Sequence, residues 1–237
     1  MRIRAPDLGA VTVPLVGASE ENSRAPNTAA ACDELSSLEV RWIFPGELKP
    51  AVAGWFGHFP ARTETREDRY LVNPRLRGRS VKIRGNVSLE VKAYCGSQGS
   101  LKVPGHIRGH IQAWHKWSLP LSRLRPDCAP AGWRQVCKTR QLSRFVLASG
   151  EFVPDNPELR KQPGCSVELT EIRAQGEDWW SLGFEASSPG DCRLGTSDLL
   201  RSELTATAAL VFAHPAPAVE PGTDYFASYV QWLAHTS

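Results

Sequence analysis

Four short segments carry charged residues at alternate positions with a single parity: Ser80-Val81-Lys82-Ile83-Arg84, Ser88-Leu89-Glu90-Val91-Lys92, Val136-Cys137-Lys138-Thr139-Arg140 and Val167-Glu168-Leu169. On a β-strand successive side chains point to opposite faces, so Lys82 shares a face with Arg84, Glu90 with Lys92, and Lys138 with Arg140. The opposite face is largely Val, Ile and Leu. In an open antiparallel sheet such charges face water; in a closed barrel with helices outside they face a lumen. A lumen of that kind is a place to hold a multiply charged anion, because guanidinium forks suit phosphate oxygens in two-point contacts and Lys acts as a point charge.

The remaining composition bounds the class. The chain has 237 residues, 41% hydrophobic and 22% charged, which suits one large β-rich domain or two small ones. Its 28 Lys and Arg against 25 Asp and Glu give a formal charge of +3, too small for a nucleic-acid footprint, and no nucleic-acid partner is expected. Six cysteines, at 32, 95, 128, 137, 165 and 192, show no CxxC spacing and no histidines at finger-like intervals, so free thiols are expected rather than a structural zinc site. Cys137 and Cys165 have no base near in sequence and are poor nucleophile candidates. The first residues lack the apolar core of a secretion signal and no stretch approaches a membrane span, so the expectation is a cytoplasmic protein without a membrane partner.

The elements that must position the charges read as follows. Residues 1–36 mix Gly, Ser, Ala, Pro and Asn without periodicity and predict a flexible N-terminal arm, leaving 37–237 as the folded domain. Strand-like patterns occupy 37–44, 63–72, 79–84, 87–94, 107–119, 133–147, 166–173 and 179–187, with a helix-compatible stretch at 48–56. Gly85-Asn86 predicts a tight hairpin, since both residues tolerate positive φ. Residues 199–212 alternate too weakly for assignment, and 225–234 predict a short amphipathic closing helix. Many strands against few helices favour an antiparallel all-β or α+β fold.

This order of elements resembles the CYTH, or triphosphate tunnel, superfamily, which includes inorganic triphosphatases, thiamine triphosphatases, class IV adenylyl cyclases and RNA triphosphatases. The resemblance covers 38–237. Glu39-Val40-Arg41-Trp42-Ile43 stands where the family opens with Glu-x-Glu-x-Lys, and Asp68-Arg69-Tyr70 stands at its D-x-Y segment. Lys82-Ile83-Arg84 is similar to R-x-R, Glu90-Val91-Lys92 to T-x-K, and Lys138-Thr139-Arg140 to K-x-R. Glu168-Leu169-Thr170 stands at the acidic strand, Gly183-Phe184-Glu185 at the late E-x-E, and Ser228-Tyr229 at the closing Ser-Tyr. The chain is a divergent match with a degenerate opening motif: Arg41 and Ile43 replace a Glu and a Lys, Gly183 replaces a Glu, and Thr170 an Asp.

The resemblance implies an α+β, mostly β fold: an eight-stranded antiparallel closed barrel with a few helices packed outside. It implies a substrate-binding set of Arg41, Lys82, Arg84, Lys92, Lys116, Lys138 and Arg140 for a phosphorylated small molecule. Glu39, Glu168 and Glu185 are implied as catalytic residues and as ligands of Mg²⁺ or Mn²⁺, which would activate water against a phosphoanhydride. Three alternatives stand beside this hydrolase: a non-catalytic polyphosphate or nucleotide binder, a lyase or cyclase acting on a diphosphate- or triphosphate-bearing substrate, and an unrelated sandwich with its charges in solvent. Taken singly, each Lys or Arg reads as a solvated strand residue, Glu90 as a partner for Lys92 or for a neighbouring strand, and Trp114, on the Lys116 face, as a packing residue before a platform for a base or other planar ligand. His110 and His115 differ in parity and form no metal pair.

Overall fold

The computed structural model describes residues 33–103, 107–123, 132–162, 164–189, 196–213, 219, 221–225 and 227–235. Its strands are β1 (Asp33–Pro45), β2 (Arg62–Leu71), β3 (Arg79–Arg84), β4 (Ser88–Lys102), β5 (Arg108–Pro120), β6 (Trp133–Val146), β7 (Glu151–Pro154), β8 (Gly164–Ala174) and β9 (Glu177–Pro189). The helices are α1 (Pro50–Phe56), α2 (Thr196–Ala213) and α3 (Tyr229–His235). Antiparallel neighbours run in the order β2-β3-β4-β5-β1-β9-β8-β6, and β6 pairs back onto β2 from Arg62 opposite Leu142 to Leu71 opposite Trp133. The sheet is thus an eight-stranded antiparallel closed barrel, mostly strand with few helices outside, the fold that the resemblance implies. Short β7 extends it beside the end of β6, which the sequence pattern does not show.

Parity builds the barrel wall. On β1, Leu38, Val40, Trp42 and Phe44 point outward and join Val167 and Leu169 of β8 and Leu182, Phe184 and Ala186 of β9 in the main hydrophobic core. Helix α2 closes over that face with Leu200, Leu204, Ala208, Val211 and Phe212. Each large apolar side chain buried there contributes about 1.5–3 kcal/mol. The core therefore lies outside the barrel, which frees the inside for polar residues. Leu169 packs outward in this core as its parity requires, whereas Val81, Ile83 and Val91 stay half-buried on the outer face of β3 and β4, with Val81 opposite Val91.

A second apolar cluster is inside. Ile43, Tyr70, Val136, Ile172 and Ala174 meet Trp232 and Leu233 of α3, so the closing helix plugs one end of the barrel. Ile43 is apolar at a lumenal position because it lies in that plug. Three boundaries differ from the sequence pattern. Residues 33–36 belong to β1 rather than to the arm, whose other residues lie outside the described set, as do Cys32, Cys128 and Cys192. β4 runs to Lys102 through register shifts after Tyr94 and Ser97, where Gly and Ser residues read as loop. Residues 199–212 fall within α2; exposed Leu199 and Leu210 blur the stripe formed by Leu200, Leu204, Ala208 and Val211. The Gly85-Asn86 joint has φ of 52° and 56°, as a tight hairpin needs.

Candidate functional site

The lumenal parity gathers the sequence-implied residues at one cavity. Glu39 and Arg41 come from β1, Lys82 and Arg84 from β3, Lys92 from β4, Lys116 from β5, Lys138 and Arg140 from β6, Glu168 from β8 and Glu185 from β9. Arg66, Tyr70, Gln112, Trp114, Arg160 and Tyr229 line it as well. Side-chain exposure falls from 26% at Arg84 and 22% at Lys92 to 2% at Lys138, so the cavity opens on the Arg84 and Lys92 side and is blind toward α3.

Most of the charges lie in four groups, apart from the Arg160–Asp155 pair and Glu64 with its arginines. At the first, Glu39 of β1 stands opposite Glu185 of β9, and Lys92 Nζ donates to the Glu39 carboxylate and, at 3.5 Å, to Glu185 Oε1. Burial, aided by the neighbouring Glu185, pushes the Glu39 carboxyl up; Lys92 and Lys116 hold Glu185 well below the usual range in spite of burial. At the second, Glu168 accepts from Arg41 Nη1 at 3.2 Å, from Thr170 Oγ1 at 2.7 Å and from Arg140 Nη2. These arginines overcome burial and hold its carboxyl well below normal.

At the third, fully buried Asp68 sits 3.0 Å from Arg66 Nε and 3.4 Å from both Lys82 Nζ and Lys138 Nζ. Lys138 Nζ also donates to Tyr70 Oη at 2.7 Å and lies 3.4 Å from the centre of the Tyr229 ring. Burial pushes the Lys138 ammonium well below its ordinary value, against the opposing pull of Asp68. At the fourth, Glu90 pairs across to the neighbouring strand β3, with Lys82 at 3.0 Å and Arg84 at 2.7 Å, the second of the two partnerships its sequence allows, and not with Lys92. Lys116 takes part in no ion pair among the described residues, and burial lowers its pKa.

Nine basic side chains line the cavity: Arg41, Arg66, Lys82, Arg84, Lys92, Lys116, Lys138, Arg140 and Arg160. Seven carboxylates, Glu39, Glu64, Asp68, Glu90, Asp155, Glu168 and Glu185, pair with eight of them. The excess is positive. Buried charges need partners of opposite sign, and here the acids supply them.

The three implied metal ligands do not converge. Glu39 and Glu185 are adjacent, while Glu168, one row along the inner face opposite Gly183, is engaged by two arginines and Thr170, and no group of three acidic, His or Cys side chains suited to a metal occurs among the described residues. The donor set present is a carboxylate pair bridged by Lys92, not a three-carboxylate cage.

Several lining residues were not signalled by the sequence. β2 carries Arg62, Glu64, Arg66, Asp68 and Tyr70 on its inner parity, yet Thr63, Thr65, Glu67 and Arg69 on the outer one are polar too, so no alternation marks it; Asp68 and Tyr70 stand out only through the D-x-Y resemblance, and Arg66 not at all. Arg160 comes from the short 3-10 turn Leu159–Lys161, which has no periodicity to read, and its Nη2 is held at 2.5 Å by Asp155 Oδ2. Trp114 does pack, as a lone Trp is expected to, but it packs as part of the cavity wall, 5.4 Å from the Tyr94 ring. Cys95, Cys137 and Cys165 are free thiols.

The fold and site together define a closed antiparallel β-barrel with an ion-paired, net basic interior. Compared with known proteins, the sequence matches no protein-family model and no curated protein. No helix among the described residues is long and apolar enough to cross a membrane.

Proposed function

We propose that this chain binds a triphosphate, diphosphate or comparable phosphorylated anion in the barrel cavity, and that cleavage of a phosphoanhydride is the chemistry of the site. The convergence of nine basic side chains on one blind, mostly desolvated cavity supports this reading. Charge interactions there are screened less by water and salt than on a surface. Phosphoryl transfer asks a protein mainly for positioning and for stabilisation of charge on the phosphate oxygens. Arg84, Lys92 and Lys116 near the mouth, and Arg140 and Lys82 deeper in, are placed to supply both. No step is assigned to Mg²⁺ or Mn²⁺, because Glu168 is not placed to complete a ligand set.

Calorimetry with tripolyphosphate tests the binding. Lys92→Ala with Lys138→Ala is expected to weaken it by at least tenfold, about 1.4 kcal/mol, while Arg173→Ala, a control 68% exposed on the outer wall, leaves it unchanged. Equal effects of the two would mean that binding is diffuse. Phosphate release from the same ligand tests the chemistry. A second reading, a binder without turnover, draws on the engagement of both Glu39 and Glu185 by Lys92, which leaves neither free to activate water; binding with no release above buffer would select it.

A further inference from the structure

We infer that Arg41 and Lys92 are resident cations of the cavity, that the cavity therefore takes a triphosphate-class anion without a divalent metal, and that Gly183 is the positioning residue that makes room for Arg41. The inference rests on the anion-binding function proposed above and goes further by fixing what accompanies the anion.

Arg41 and Gly183 face each other across β1 and β9. The Arg41 guanidinium lies over the glycine: a Cβ at 183 would stand 2.8 Å from Cζ, 2.9 Å from Nη1 and 3.0 Å from Nη2, closer than real Cβ contacts come. The backbone at 183 is not in the left-handed region, so the chain conformation does not demand glycine there; space does. Around that seat Arg41 Nη1 donates to Ser181 Oγ at 3.2 Å and to Glu168 Oε1 at 3.2 Å, and the Tyr229 ring lies 4.8 Å from Cζ. The guanidinium is thus fixed on four sides.

Lys92 plays the matching part at the carboxylate pair. Its ammonium is bonded to both Glu39 and Glu185, so the two acids most suited to a divalent ion already hold a cation. A divalent ion there would have to displace Lys92 with Arg41 and Lys116 nearby, and like charges repel. An anion meets the reverse situation, since Arg and Lys present N–H donors directly to phosphate oxygens.

The test uses the full chain and sodium tripolyphosphate in calorimetry, with excess chelator or with Mg²⁺ or Mn²⁺. The wild type is expected to bind in chelator within about threefold of its affinity with metal. Binding that requires metal would overturn the inference and leave the anion-binding function standing, whereas no binding in either condition would overturn that function. Gly183→Ala meets the far end of the Arg41 side chain before any backbone, so it is expected to fold, with Tm lowered by the disturbed Arg41–Glu168 pair, and to lose about tenfold in affinity in chelator. In an Arg41→Ala background the same substitution is expected to cost nothing further, the non-additivity of residues acting as one. Unaltered affinity of Gly183→Ala, or an equal loss in both backgrounds, would overturn the role of Gly183.

Discussion

Asp68→Asn separates two jobs that the proposed function gives the cavity acids, holding the empty barrel together and opposing the anion. Asp68 is fully buried and lies 3.0 Å from Arg66 and 3.4 Å from Lys82 and Lys138. Lys82 keeps Glu90 and Arg66 keeps Glu64, but Lys138 loses its one carboxylate. Breaking a buried pair from one side costs about 3–5 kcal/mol, and the surviving partners place this case near 3. For a domain of this size a loss of about 3 kcal/mol lowers Tm by about 6–12 °C. The same change removes one negative charge from the wall. At ~5 Å and an effective dielectric near 20, the repulsion relieved is up to about 3 kcal/mol, so tripolyphosphate is expected to bind at least tenfold tighter. Thermal melts with and without tripolyphosphate, beside calorimetry, read both. The ligand is expected to raise the Tm of Asp68→Asn more than that of the wild type, because a ligand stabilises by RT ln(1 + [L]/Kd). A variant as stable as the wild type, or one that binds the anion no better, would refute the idea that these acids stand in for the ligand.

Two further outcomes follow from the protonation of the buried groups. Against the pull of burial, their basic partners hold the Asp68, Glu90, Glu168 and Glu185 carboxyls below the usual range, and Arg62, Arg140 and Arg66 hold Glu64 at about 2 from an ordinary 4.5. A depressed carboxyl stabilises fully above its unfolded value and loses that contribution as pH falls, so Tm is expected to drop steeply between about pH 4.5 and pH 2; a Tm that stays level down to pH 3 would contradict the ion-pair account. Burial lowers the Lys82, Lys116 and Lys138 ammonium groups, and a bound anion favours their charged forms, so binding at about pH 9 is expected to take up protons. Calorimetry in two buffers of different ionisation enthalpy measures this, and proton release on binding would contradict it.

The sequence by itself determined which face each strand residue takes, because the two-residue period of a strand depends on nothing beyond the chain. Lys82 and Arg84 could be placed on one face and Val81 and Ile83 on the other, and Lys138 placed with Arg140, before any fold was known. Where one face was apolar and the other charged, as on β3 and the first part of β4, the site was legible; on β2, polar on both faces, Arg66 and Asp68 were not singled out as ligands. Tertiary structure decided what the faces meet. Closure of β2 onto β6 turned one face into a lumen, and α2 and α3 decided that Leu38 would be core outside the barrel while Ile43 would be a plug inside it. Partner choice was likewise settled only in three dimensions. Glu168 and Glu185 look alike in sequence as acids on inward faces, but Arg41 and Arg140 reach the first and Lys92 the second, from strands far apart in the chain. The space over Gly183 that admits Arg41 exists only because β1 lies beside β9, and a contact between residues 142 positions apart leaves no mark on local pattern.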